Sequence, residues 1–174
     1  MDVLPRLQPV DDRYATRPIS EAFNWQEAAS DLADGEWYLV AFRSTRREGA
    51  DEERLAQYDE RAHLEAESAP GFVHYFKGPR AADGSCLSFC LWTSRAEARA
   101  AAGRPAHVEA VSLLDEMYAV YTLEFHRVRR DAGGPLTFVL YDAPTVDIHL
   151  SADAAAPELQ PAPAPLALRP AAAS

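Results

Sequence analysis

At 174 residues, with 48% hydrophobic and 10% aromatic side chains, the chain is long enough to bury one core and too short for two comfortable ones. Seventeen basic against twenty-seven acidic residues leave a net charge of -10, and no stretch interleaves Lys and Arg with aromatics as a phosphate-binding groove would, which argues against a nucleic-acid partner. No run approaches the roughly 18 apolar residues of a membrane span, and the opening Met-Asp-Val-Leu-Pro-Arg lacks an export signal's charged and apolar regions, so a soluble, cytoplasmic protein is expected.

Residues 1–18 carry three prolines and charges of mixed sign without a sustained period, which predicts an irregular arm ahead of a single domain over 19–150. Ser20 suits the cap of a helix from Glu21 to about Leu32, with Phe23 and Trp25 near its start and Gly35 beyond its end. Trp37 to Ser44 reads as a central strand, and Asp51 to Ser68 as a polar helix with a thin apolar side at Leu55, Tyr58, Ala62 and Ala66. Pro70-Gly71 ends that helix. Phe72 to Phe76 is the next strand, with Phe72, His74 and Phe76 expected on one face.

The stretch from Cys86 to Val128 then reads as strand, helix, strand. Cys86 to Trp92 alternates apolar with small or polar residues; Ser94 caps a helix running to Met117 with one break, at Gly103-Arg104-Pro105; Tyr121 to Val128 alternates again. The second half of the helix sets His107, Val111, Leu114 and Tyr118 on one face. Leu136 to Tyr141 and Thr145 to Leu150 read as two short strands separated at Pro144. Residues 151–174, mostly Ala and Pro, are expected to be a disordered tail. Cys86 and Cys90 share a strand face about 13 Å apart, beyond the roughly 7 Å limit for a disulfide, and read as small fillers of a reduced interior.

The order strand, helix, strand, strand, helix, strand is a ferredoxin-like α+β arrangement, four antiparallel strands covered by helices, here with an extra N-terminal helix and C-terminal strands. At Gly71-Phe72 after Pro70, at Leu91-Trp92-Thr93-Ser94, and at Pro105-Ala106-His107 the chain resembles the dimeric α+β barrel superfamily, especially antibiotic-biosynthesis-monooxygenase-like domains. The resemblance covers about residues 36–130. It implies a homodimer in which two sheets pack face to face, and a cavity between each sheet and its helices. It also implies a small-molecule enzyme, a cofactor-independent monooxygenase or isomerase acting on an aromatic or polyketide-like substrate. A non-catalytic dimeric module binding a small ligand or a protein is the alternative. Ala100-Ala101-Ala102 departs from members that carry a further His or aromatic there, which lowers the expectation of haem degradation or of a typical quinone-forming activity.

His107 is the first candidate, as a pocket base, an ordinary core or helix-end histidine, or the residue where haem-degrading members place an axial ligand. Glu124 and His126 leave one strand face together, a spacing that suits an acid–base dyad, a solvent-facing pair, or, with His74, Asp147 and His149, a divalent-metal site; no metal or cofactor is assigned. For substrate binding the candidates are Arg43, which could recognise a carboxylate or enolate or pair with a nearby acid, His74, Trp92 and Tyr118. Trp37, Tyr75 and Tyr121 could line the same pocket or pack a core. No nucleophile elbow, phosphate loop or dinucleotide fingerprint is present.

Overall fold

The computed structural model describes residues 4–30, 32–141 and 146–148, the last three as backbone alone. Among the described residues six strands form one antiparallel sheet: β1 (Gly35–Arg46), β2 (Phe72–Phe76), β3 (Ser85–Trp92), β4 (Tyr118–Arg130), β5 (Thr137–Leu140) and β6 (Val146–Ile148). Their order is β2-β3-β1-β4-β5, with β6 also on β4. Six α-helices accompany them among the described residues: α1 (Ile19–Ala22), α2 (Trp25–Ala28), α3 (Glu52–Glu67), α4 (Arg95–Ala102), α5 (Pro105–Val111) and α6 (Leu114–Met117). The core order β1-α3-β2-β3-α4/α5/α6-β4, with strands in the sequence 2-3-1-4 across the sheet, is ferredoxin-like.

Strand β1 is apolar on both faces, so it must be covered twice. Its register with β3 and β4 sets Leu39 beside Leu91 and His126, and Val40 beside Cys90 and Phe125, which assigns every side chain of the three strands to one of two layers. α3 to α6 cover the layer of Tyr38, Val40 and Phe42. Residues 4–32 cover the layer of Trp37, Leu39 and Ala41, where Leu4, Leu7, Tyr14, Ile19, Phe23 and Trp25 are all buried. The face that a second copy's sheet would need is therefore closed from within the chain. Residues 4–32 thus lie where the resemblance leads one to expect the sheet of a second copy.

This N-terminal layer differs from the single helix expected over Glu21 to Leu32. Phe23 is extended and bridges Pro9, and the Asn24 side chain accepts from the Gln8 N–H at 2.7 Å, so the chain makes two one-turn helices around an aromatic plug. The Phe23 ring meets those of Tyr14, Trp25, Phe76 and Phe89 at 4.9–5.6 Å, mostly edge to face. Arg43 ties the same segment down: its guanidinium donates to the Ala15 and Arg17 carbonyls at 2.5 and 2.7 Å and to Glu124 at 2.5 Å. Arg130 does so at the other end, donating to the Ala29 and Leu32 carbonyls.

Two further differences have local causes. The register of β2 shifts between Phe72 and His74, so Phe72 packs on Trp92 at 5.4 Å in the helix-covered layer while His74 and Phe76 lie in the other. The helix after β3 breaks twice, at Gly103-Arg104 as expected and again at Ser112-Leu113, and Tyr118 already belongs to β4. Gly71, at φ +76°, has no room for a side chain, because a Cβ there would collide with the Glu97 carboxylate and the Thr93 hydroxyl. The tail at 151–174 lies outside the described residues.

Phe23→Ala is expected to cost about 3–5 kcal/mol, the usual range for emptying a buried ring site, read as a lowered urea midpoint. A second prediction concerns acid. The Glu124 carboxyl is held down at about 2, chiefly by its hydrogen bond with His126 (3.2 Å), with Arg43 adding to it against the effect of burial. A depressed carboxylate contributes stability above its unfolded value near 4.5, lost as pH falls towards 2. Glu124→Gln should flatten the urea midpoint between those pH values and lower it at pH 7; an unchanged slope would contradict this role.

Candidate functional site

Between the sheet and α3 to α6 lies a cavity of about 450 Å³. Its floor is the helix-covered face of β1, β3 and β4, with Tyr38, Phe42, Trp92, Tyr121, Leu123 and Phe125 contributing. Its roof is made of small residues. Ala62 and Ala66 of α3, Ala98, Ala101 and Ala102 of α4, and Ala110 of α5 face the rings, and methyl groups set against aromatic side chains leave space that no other described residue fills. The thin apolar side of α3 serves this purpose: Leu55 is its one buried residue.

Helix ends fix the roof in place. Asp51 caps α3 through the Arg54 N–H at 2.9 Å, and Ser94 caps α4 through the Glu97 N–H at 3.3 Å. α5 lacks a cap of its own, since Arg104 occupies that position; Glu65 of α3 instead accepts from the Ala106 and His107 N–H groups at 3.0 and 3.3 Å. Arg104 returns the tie, donating to the Glu65 carbonyl at 3.0 Å and to Ser68 Oγ at 2.9 Å. His107 thus holds its place over the cavity through α3. Outer ion pairs, Arg54–Glu116 at 2.7 Å and Arg61–Glu109 at 2.8 Å, span the same helices but are exposed and contribute little.

The polar groups in the cavity are few. His107 is half-buried, and burial lowers its pKa, with Glu65 opposing, so the ring is neutral near pH 7. Tyr75 donates to Asp59 at 2.8 Å, and Asp59 also pairs with Lys77 at 2.6 Å. The His63 ring lies 4.7 Å from that of Tyr75. Tyr118 and Tyr121 meet edge to face at 5.2 Å; burial pushes the Tyr118 hydroxyl up to about 12 and raises that of Tyr121 as well. Burial likewise takes the Cys90 thiol up to about 12, so it stays protonated and is an inert part of the wall.

Of the residues singled out from sequence, His107, Trp92 and Tyr118 border the cavity, as do Tyr75 and Tyr121. Arg43, His74, Glu124 and His126 do not: they lie on the opposite sheet face, beneath residues 4–32, as does Trp37. β2 and β4 are separated by two strands, about 14 Å, so His74 is also remote from Glu124 and His126. The other members of the metal reading, His149 and the side chain of Asp147, lie outside the described residues. Among the described residues no three His, Cys, Asp or Glu side chains are grouped to hold a metal ion, and no helix is long and apolar enough to cross a membrane. Cavity residues that sequence reasoning passed over are Tyr38, Asp59, His63, Arg99 and Phe125. Phe125 and Leu123 alternate with Glu124 and His126, and that apolar set was the available signal for which side of β4 faces the helices.

Solved structures similar to this one include SnoaB, a cofactor-independent oxygenase from Streptomyces nogalater, 20% identical, covering 57% of this chain and 95% of that one with a TM-score of 0.42. A protein described provisionally as an antibiotic biosynthesis monooxygenase from Chloroflexus aurantiacus is 18% identical, covering 56% of this chain and 96% of its own, TM-score 0.44. NE2512, a protein of unknown function from Nitrosomonas europaea, is 14% identical over 57% of this chain and 94% of its own, TM-score 0.45. Among curated sequences, UPF0643 protein PB2B2.08 of Schizosaccharomyces pombe is 27% identical over 139 residues, 70% of this chain; the chain spans 63% of that relative's length. The PB2B2.08-like family model matches residues 1–138, N-terminal layer included, and the chain belongs to that family.

Proposed function

We propose that the chain holds a flat aromatic or polyketide-like molecule in the cavity and that His107 takes a proton from it. The observation that carries the reading is the cavity itself: about 450 Å³, within the range of small-molecule sites, walled by rings on one side and methyl groups on the other. A slot of that composition favours a planar, largely apolar ligand. The neutral His107 imidazole at its wall can accept a proton, and the motifs at Gly71-Phe72, Trp92-Thr93-Ser94 and Pro105-Ala106-His107 resemble those of monooxygenase-like domains, which supplies the reaction class.

For a phenol the balance is simple. Deprotonation yields a ring anion; dioxygen adds at carbon; one oxygen atom stays as the second carbonyl of a quinone and the other leaves as water. The four electrons come from the substrate, so no bound cofactor enters the balance. A second reading, a ligand-binding module without catalysis, is favoured by one observation: Asp59, Tyr75 and Lys77 satisfy one another, leaving few free polar groups to steer a reaction.

Oxygen uptake with a panel of phenols and naphthols separates the two. Uptake is expected to fall as pH drops through a value below 6.5, where His107 becomes charged, and to fall by at least about 100-fold in His107→Ala, with calorimetric binding of the same compounds retained. Binding with no uptake across the panel at any pH would establish the module instead.

A further inference from the structure

Three cations among the described residues border the cavity, and the chain neutralises two of them. Arg46 pairs with Glu52, and Lys77 with Asp59 at 2.6 Å. Arg99 forms no ion pair among the described residues. One helical turn earlier on α4, Arg95 likewise has no carboxylate partner among them; its guanidinium carbon sits 5.1 Å from the centre of the Tyr141 ring. The Tyr141 ring meets Tyr38, at the cavity floor, at 5.4 Å. Burial raises the Tyr38 hydroxyl's pKa, and both Arg95 and Arg99 oppose that rise, which brings the two cations and the hydroxyl to the same end of the cavity.

Two acids near them among the described residues are otherwise engaged. Glu97, on the same helix, is bound by the Thr93 and Ser94 hydroxyls at the helix start. Glu36 pairs with Arg127 at 3.4 Å, a third guanidinium, whose central carbon lies 5.3 Å from the centre of the Tyr141 ring. In a chain with ten more acids than bases, two arginines with no carboxylate partner among the described residues, beside one end of an apolar slot, are a departure from the general balance. The slot also has a direction. Its lining takes alternate residues of β1 from Tyr38 to Arg46, a span of about 26 Å, with the arginines at the Tyr38 end.

We infer that the Tyr38 end of the cavity binds the carboxylate of an aromatic acid, with Arg99 and Arg95 as the anion-binding pair and the ring system lying along β1. This deepens the proposed function, on which it rests, by naming the ligand's charge and the end at which it sits. Guanidinium pairs suit a carboxylate because they offer forked, permanently charged donors.

The test is isothermal titration of the whole chain with 2-naphthol, 2-naphthoate and dodecanoate at low ionic strength. The naphthoate is expected to bind at least tenfold more tightly than the naphthol, and dodecanoate, with the same carboxylate on an aliphatic body, more weakly than naphthoate. In Arg95→Gln/Arg99→Gln the naphthoate-to-naphthol ratio should approach one; both side chains are exposed, so the fold is not at stake. Equal binding of naphthol and naphthoate to the unaltered protein, or a preference that survives the double substitution, would overturn the anion site while leaving the aromatic cavity standing. Tighter binding of dodecanoate would overturn the aromatic assignment. Failure of all three to bind would remove the proposed function along with this inference.

Discussion

A central strand that is apolar on both sides must find two different covers, and this chain is organised by how β1 finds them. Tyr38, Val40 and Phe42 look towards α3 to α6, whereas Trp37, Leu39 and Ala41 look towards residues 4–32. The pairings with β3 and β4 extend the division across the sheet, so one register fixes which residues are packed solid and which surround a space.

The two layers solve the same burial problem with opposite side-chain volumes. Under the N-terminal segment, rings from that segment interlock with Phe76, Phe89 and Phe138 from the sheet, and Tyr14, Leu39, Leu87, Phe89 and Val128 lose nearly all contact with solvent. Beneath the helices, alanines oppose rings and the volume does not close. The floor of the cavity thus rests on a layer of interlocked rings. Arg43, Glu124 and His126 belong to the N-terminal side: partly buried polar groups satisfied by one another and by two carbonyls of the segment they hold.

Much of this frame was legible in sequence. The aromatic and β-branched run at Trp37, the acidic start of α3 at Asp51, Pro70-Gly71, and the Gly103-Pro105 break all act through short-range sterics or capping, which a window of a few residues contains. The N-terminal layer was not legible because its two helices are one turn each, too short for a period, and its bends depend on Pro9 and Gln8 lying beside Phe23 and Asn24. The bulge in β2 broke the alternation that had put Phe72 with His74. Glu124 and His126 were seen as a pair that leaves one face, which holds, but alternation alone does not say what that face meets. The anion-binding end was hidden for another reason: Arg95 and Arg99 look like ordinary solvating residues of an alanine-rich helix until the neighbouring acids are found to be occupied.

The N-terminal layer also carries a consequence for biosynthesis. Phe23 and Trp25 leave the ribosome well before their seat, which includes Val128 and Phe138, more than 100 residues further along. At synthesis rates of about 5–20 residues per second, this aromatic stretch waits on the order of 5–20 s with its rings exposed before the sheet that receives it is complete. A segment made ahead of its seat thus finds its place only after that seat exists, and in the interval its rings are open to a chaperone.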